Sequence, residues 1–194
     1  MNFTAIYIGF LVISTFYRIR RLISSYSNEP RSGRVSFSFT YPVMLFFYLG
    51  VWFFAIFEYF FTHILKTQEI NPWVSLIGFV IYVGVIPLRD SAASVLGRHL
   101  SSDIKIAEGH RLVKDGPYSY MRHPLVFCAI IEVFGLALIP NSYCTFLTAL
   151  FGFMPFMLLR VYLEEKALME KFGEEYLKYK KEVFGFFPLK KVKS

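Results

Sequence analysis

Residues 125–160 read LVFCAIIEVFGLALIPNSYCTFLTALFGFMPFMLLR and carry the strongest indication of fold class in the chain. Two apolar runs, residues 125–139 and 142–159, are separated only by Pro140-Asn141. A helix needs roughly 20 apolar residues to cross a bilayer core about 30 Å thick, and a two-residue break leaves room only for a tight turn. The stretch predicts a membrane-embedded antiparallel helical hairpin whose second arm is kinked at Pro155.

Three further apolar runs precede the hairpin, at residues 1–17, 39–65 and 72–88. The first has neither the basic start nor the small-residue cleavage site of a signal peptide, so we expect a retained anchor. The third begins at Asn71-Pro72, a favourable helix start. The run 125–139 is short, because its 15 residues reach only about 22 Å as a helix. Together the runs predict an all-α integral membrane protein with five transmembrane helices.

Composition excludes several other classes of protein. Of the 194 residues, 55% are hydrophobic and 18% are charged, against about 45–50% and about 25% in an average soluble domain. The apolar residues form long uncharged blocks, which excludes a water-soluble globule, a disordered chain and a disulfide scaffold. Both cysteines, Cys128 and Cys144, lie in apolar runs and suggest neither a disulfide nor a metal site.

The basic residues predict the orientation in the membrane. The net charge is +7; loop 18–34 has five arginines, loop 62–71 has Lys66 as its single lysine or arginine, and the hairpin tip has no charge. Loop 89–124 has six basic residues, and the tail from Arg160 onward has eight lysines. Because basic loops stay in the cytosol, we expect the N-terminus outside, the C-terminus inside, and a membrane surface rather than nucleic acid as the partner of the basic residues.

The polar segment 103–126, DIKIAEGHRLVKDGPYSYMRHPLV, contains the first candidate site residues. Asp115-Gly116-Pro117 marks a turn, and His123-Pro124 marks the start of the fourth helix. His123 is expected beside free amides at that helix N-terminus, where a ligand could bind. An interpretation of equal weight is that Arg122 and His123 are only a basic pair at the membrane interface.

A second group of candidate residues begins the tail. Arg160 and Glu164 share a helical face because they are four residues apart, and Glu165 follows directly. They indicate a polar pocket at the membrane boundary, although an ordinary intrahelical ion pair explains the spacing somewhat better. Two acids within the apolar runs, Glu58 and Glu132, are assigned an interface role and a structural hydrogen bond, respectively.

The last segment, residues 171–188, has apolar and aromatic residues at helical spacing: Phe172, Tyr176, Tyr179 and Val183. This stripe lies either on the bilayer surface or against the protein's own loop, and in either case it could cover a site. The chain has no GxGxxG or GxxxxGK[ST] motif, and no His/Cys/Asp cluster at metal-ligand spacing. We therefore expect no metal.

The combination of HRLVKDGPYSYMRHPLV, an apolar hairpin and RVYLEEKALMEKFGEEYLKYKKEV resembles the isoprenylcysteine carboxyl methyltransferase family, and the form resembles a small prokaryotic or archaeal member. The resemblance covers about residues 103–188. It implies S-adenosylmethionine as cofactor and methyl transfer to the carboxylate of a lipophilic, prenylated substrate that enters from the bilayer. It also implies one domain over residues 1–194, with membrane helices in 1–88 and the catalytic half in 89–194.

The resemblance also assigns roles to individual residues. Arg160 would bind the substrate and, with Glu165, would be catalytic. Val126 stands where the family motif RHP-x-Y has tyrosine, which removes a hydroxyl, and the role of Asp103 is left open. The cofactor-binding residues implied are His110, Arg111, Leu112, Val113, Tyr118, His123, Pro124, Leu125, Val126 and Glu164.

Three other functions stay open at this point. A phospholipid or lipid-amine N-methyltransferase would share the cofactor but would need a proton acceptor, which Glu165 or His123 could provide. A membrane NADPH-dependent sterol-type reductase would need basic groups for the nucleotide, and the tail lysines could provide those. A non-enzymatic membrane scaffold is the third alternative.

Overall fold

The computed structural model describes residues 3–28, 34–37, 40–96, 104–106 and 112–186. The helices are α1 (Phe3–Asn28), α2 (Thr40–Tyr59), α3 (Pro72–Leu96), α4 (Pro124–Leu138), α5 (Tyr143–Thr148), α6 (Met154–Phe172) and α7 (Glu174–Glu182). A π-helical turn (Phe60–Leu65) extends α2, and a second one (Ala149–Phe153) joins α5 to α6. A 3-10 turn (Gly116–Ser119) precedes α4.

Four stretches of helix are long and apolar enough to cross a membrane: Phe3–Arg20, Pro42–Leu65, Pro72–Leu96 and Tyr143–Phe172. Large apolar side chains on these stretches are exposed, as lipid-facing residues are. The protein is therefore an integral membrane protein with several spans. Helix α4 is also apolar but has only 15 residues, so the fifth crossing stays a prediction.

The helices extend beyond the apolar runs from which they were predicted. Helix α1 continues past residue 17 through the arginines, and α3 continues past Pro87 to Leu96. The second arm of the hairpin runs from Tyr143 to Phe172 and changes to π-helix just before Pro155. Hydropathy predicts where a chain is apolar and not where a helix ends, and the polar end of α3 contacts the turn before α4, where Val95 lies against Gly116.

A short β-ribbon is the one departure from the all-α prediction in the described residues. Strand β1 (Arg34–Phe37) pairs antiparallel with β2 (Ile104–Ile106), and the register is irregular between Val35 and Phe37. Both segments alternate polar and apolar residues, which is the strand pattern. The ribbon pairs the end of the predicted loop 18–34 with residues inside the predicted loop 89–124.

Helices α3 and α4 pack closely through two glycines. A Cβ atom on Gly78 would lie 2.6 Å from the backbone nitrogen of Ile139, and one on Gly135 would lie 3.0 Å from the Gly78 carbonyl oxygen. Small residues commonly let membrane helices approach in this way. This contact fixes α4, and with it the residues at its N-terminus, against α3.

The two acids within the apolar runs both have partners on other helices. The Glu58 carboxylate accepts hydrogen bonds from the backbone amides of Cys144 (2.9 Å) and Thr145 (2.8 Å) and thereby caps α5. Glu132 accepts from Arg18 of α1 at 2.8 Å and from Arg89 of α3. The structural bond expected for Glu132 agrees with these contacts, whereas Glu58 is buried as a helix cap and the interface role expected for it stays a prediction.

Candidate active site

His123 caps the N-terminus of α4 and is held there by the backbone of the C-terminal segment. The amides of Arg122 and His123 donate to the carbonyl oxygens of Phe184 (2.9 Å) and Gly185 (3.1 Å). Pro124 follows in the first turn of the helix, where its missing N–H is tolerated. The imidazole is only 4% exposed, so the RHP segment of the sequence becomes a buried junction between α4 and the tail.

Glu165 is the centre of a charged network. Its carboxylate accepts from Arg122 Nε (3.0 Å) and Nη2 (2.7 Å), from Lys180 Nζ (2.6 Å), and lies 3.2 Å from His123 Nε2. Arg122 also donates to the carbonyl oxygens of Lys180 and Val183. One carboxylate therefore ties together α4, α6 and α7, and three cationic groups occupy its oxygens.

Glu164, the neighbouring residue, faces a different environment. One of its carboxylate oxygens lies 3.7 Å from His123 Nδ1, and its side chain is 36% exposed. Burial lowers the pKa of His123, but the hydrogen bonds and charges of Glu164 and Glu165 outweigh burial, so the pKa of His123 is raised. The imidazole is thus stabilised as an imidazolium between two carboxylates, and Glu164 retains free acceptor capacity.

Arg160 lies one helical turn before Glu164 and is 9% exposed. Its positive charge acts on the Glu164 carboxylate, which agrees with the shared helical face that the sequence predicts. A buried guanidinium at the end of the apolar part of a membrane helix is a suitable partner for a planar anion. The structure therefore brings Arg160, Glu164, Glu165 and His123 into one cluster.

The remaining predicted site residues differ in burial and in position. Tyr118 is buried, and its carbonyl oxygen accepts a hydrogen bond from the Tyr179 hydroxyl at 2.6 Å. Leu112 packs against the tyrosines of α7, while Val126 belongs to the membrane core. Pro124 is buried, and Val113 and Leu125 are half-buried. His110, Arg111 and Asp103 lie outside the described residues.

The structure adds two features to the site: a cleft that the sequence did not predict, and the position of the α7 stripe, for which the sequence left two alternatives. An open cleft of about 380 Å³ borders the network and is lined by Arg122 and Glu165, by Leu158, Val161 and Tyr162 of α6, and by Gly185 and Phe186. The stripe of α7 is buried against the protein, with Tyr176, Tyr179 and Val183 packed together beside Leu112. This position supports the second interpretation of the stripe and excludes the bilayer surface; the proline-ended stretch VFGFFP was the available signal for the first feature.

A family model, a curated relative and a solved structure each point to the same family. Residues 76–170 match the model of the isoprenylcysteine carboxyl methyltransferase (ICMT) family. The chain is 30% identical over 109 residues to "Uncharacterized protein YpbQ" of Bacillus subtilis, which covers 55% of this chain and 62% of that protein. It is 32% identical over 104 residues to "Protein-S-isoprenylcysteine O-methyltransferase" of Schizosaccharomyces pombe, which covers 53% of this chain and 44% of that protein.

A solved structure shares the fold. The eukaryotic intramembrane Ras methyltransferase ICMT superposes with a TM-score of 0.61 at 24% identity, over 79% of this chain and 54% of that one. The matches to both curated relatives and to this structure thus cover less than two thirds of the other protein's length. The matched segment, residues 76–170, contains α4, the hairpin, Arg160, Glu164 and Glu165. Over this segment, the chain is similar to the isoprenylcysteine carboxyl methyltransferase family.

Proposed function

We propose that this protein transfers a methyl group from S-adenosylmethionine to the carboxylate of a lipophilic, isoprenylcysteine-like substrate at the cytosolic membrane surface. The observation that carries the proposal is the cluster of Arg160, Glu164 and His123 at the end of a membrane hairpin, beside an open cleft. The match to the methyltransferase family model supports the reaction type. The similarity to a protein-S-isoprenylcysteine O-methyltransferase of fission yeast supports the substrate class.

The residues present fit a sulfonium cofactor that carries an amino-acid end. Glu164 is half-exposed and keeps acceptor capacity beyond its contact with His123, so it can hold an ammonium group through a charge-assisted hydrogen bond. Tyr118, His123 and Leu112 surround the same region from the loop side. When bound, the cofactor supplies a methyl group that is already activated, so the protein needs no metal for the reaction.

Arg160 orients the methyl acceptor in this proposal. A carboxylate is ionised at pH 7, so no residue has to remove a proton from it. The guanidinium fork can hold one carboxylate oxygen and leave the other free to react. Alignment in a site that excludes water then supplies most of the rate enhancement.

The network around Glu165 favours a carboxylate acceptor over an amine. An amine must lose a proton before it reacts, and a carboxylate surrounded by Arg122, Lys180 and His123 is a weak proton acceptor. His123 has a raised pKa and is held as an imidazolium. We therefore assign Glu165 a positioning role: it holds Arg122 and His123 where the segment before α4 meets the C-terminal tail.

The cleft gives the apolar part of the substrate a route from the bilayer. Leu158 and Tyr162 line it and are exposed on the outward face of α6. Burial of an isoprenoid tail contributes about 0.8 kcal/mol per CH₂. A substrate that is anchored in the membrane can thus reach the charged network of Arg122 and Glu165 from the lipid.

Calorimetry on detergent-purified, EDTA-treated protein tests the proposal. We expect saturable binding of S-adenosylhomocysteine and none of NADPH. NADPH binding without S-adenosylhomocysteine binding would support the reductase alternative, and binding of neither would support the scaffold.

A further inference from the structure

Tyr176 on α7 has a buried hydroxyl that the fold leaves unpaired. The residue is 1% exposed, and its hydroxyl has no hydrogen-bond partner among the described residues. Folded proteins pair nearly all buried polar groups with protein atoms, with water or with a ligand. An unpaired hydroxyl beside the candidate active site is therefore available to a ligand that binds there.

The surroundings of Tyr176 place it beside the candidate active site. Its ring centroid lies 6.1 Å from that of Tyr179, whose hydroxyl bonds the carbonyl oxygen of Tyr118. The charges of Glu165, Arg122 and Glu164 all act on the Tyr176 phenol. Tyr176 thus lies on α7 close to the carboxylates of Glu164 and Glu165, and next to Tyr179, which contacts Tyr118.

The hydroxyl is a hydrogen-bond donor at any working pH. Burial, and next the charge of Glu165, raise the pKa of Tyr176 above its ordinary value. A phenol that stays protonated donates its proton to an acceptor atom. An oxygen or nitrogen acceptor atom would therefore satisfy this donor.

Building on the function proposed above, we propose that the Tyr176 hydroxyl donates a hydrogen bond to the nucleoside part of the cofactor. Leu112, Leu168, Met169 and Phe172 pack against the cluster that contains Tyr176. Such an apolar, aromatic environment suits a flat base and a ribose with neutral acceptor atoms. A carboxylate acceptor fits poorly, because Glu164 and Glu165 already place negative charge nearby.

The substitution Tyr176→Phe tests this assignment because it removes only the hydroxyl. We expect the affinity for S-adenosylhomocysteine and for 5′-methylthioadenosine to fall by the same factor, about threefold to tenfold, as for loss of one neutral hydrogen bond. The unfolding temperature of the ligand-free protein should not fall, because the hydroxyl has no partner there. Both quantities are measured on detergent-purified protein.

Two other tyrosines provide matched controls. The Tyr179 hydroxyl is paired, so Tyr179→Phe should lower the unfolding temperature of the ligand-free protein. Tyr7 on α1 is also 1% exposed with an unpaired hydroxyl, but it packs against Tyr59, 4.7 Å away between ring centroids, in the membrane helices. Tyr7→Phe should therefore leave the ligand affinity unchanged, and it should not lower the unfolding temperature.

Each other outcome overturns a stated part of the inference. Unchanged affinity in Tyr176→Phe, beside a wild type that binds, would overturn this inference alone. A loss confined to S-adenosylhomocysteine would place the bond at the amino-acid end and overturn the nucleoside assignment. A lower unfolding temperature of ligand-free Tyr176→Phe would show a structural partner. No binding by the wild type would overturn the proposed function and this inference with it.

Discussion

Glu164 and Glu165 are neighbours in the chain, yet their surroundings differ. Adjacent positions on a helix point about 100° apart, so Glu165 meets Arg122 and Lys180 while Glu164 remains half-exposed near His123. The spacing of Arg160 and Glu164 predicts a shared helical face, but taken alone it favours an ordinary ion pair over a polar pocket. It could not separate the two acids, because the partners of Glu165 come from α7 and from the segment before α4.

Alanine at each acid should therefore have a different effect. Glu164→Ala should weaken S-adenosylhomocysteine binding by about one to two orders of magnitude, since hydrogen bonds to charged groups contribute about 1.5–3 kcal/mol. Glu165→Ala should mainly lower the unfolding temperature, because three cations lose their shared carboxylate. Calorimetry and thermal unfolding of both variants check this. Equal losses of affinity with unchanged stability would contradict the division of roles.

The raised pKa of His123 predicts a pH-dependent contribution to stability. Because the folded state holds the imidazolium, the contribution is fully present below the unfolded pKa of about 6.5 and is lost as the pH rises through the higher folded value. The unfolding temperature of wild type minus that of His123→Gln should be larger near pH 6 than near pH 9. A difference that grows with pH would mean that His123 is held neutral.

At the scale of elements, the α3–α4 pair sets where the site forms. Gly78 and Gly135 bring the two backbones together, and Cys128 Sγ lies 3.9 Å from the carbonyl oxygen of Val85 further along the same contact. The sequence predicted the hairpin after α4 from its Pro140-Asn141 turn. The sequence did not predict which helix packs against α4. Helix pairing depends on which helix faces carry small residues, and hydropathy does not show this.

Gly78→Ala should destabilise the protein, since its new methyl group would lie 2.6 Å from the Ile139 backbone nitrogen. The matched control is Gly84→Ala on the same helix, where no atom lies within 4 Å of the added group. We expect a clearly lower unfolding temperature for the first variant and an unchanged or higher one for the second. Equal behaviour of the two variants in detergent would refute the close contact.

At the scale of the whole molecule, the sequence predicted the membrane class, the hairpin and the grouping of Arg160 with Glu164. These follow from local quantities: apolar run length, turn residues and helical spacing. Three features were not predicted in this way. The network of Arg122 and Glu165 joins residues 43 positions apart in the chain. The cleft and the burial of the α7 stripe form where the tail folds back on the rest of the protein. Such contacts leave no periodic trace in one sequence.

The predicted orientation can be read from two cysteines. Cys144 is exposed at the hairpin tip, which should face outward, and Lys178 is exposed on α7, which should face the cytosol. In intact cells, a membrane-impermeant maleimide should label wild-type Cys144. It should label Lys178→Cys, in a Cys144→Ser background, only after permeabilisation. The reverse pattern would place the site outside the cell.

The most direct test of the account is methyl transfer to a defined acceptor. Purified protein in lipid is given S-adenosylmethionine with a labelled methyl group and an N-acetylated S-prenylcysteine, whose only acceptor is its carboxylate. We predict a base-labile methyl ester, with turnover strongly reduced in both Arg160→Ala and Arg160→Lys, because an ammonium lacks the planar fork. Base-stable label in lipid amines and none in the ester, from a protein that binds S-adenosylhomocysteine, would contradict the account.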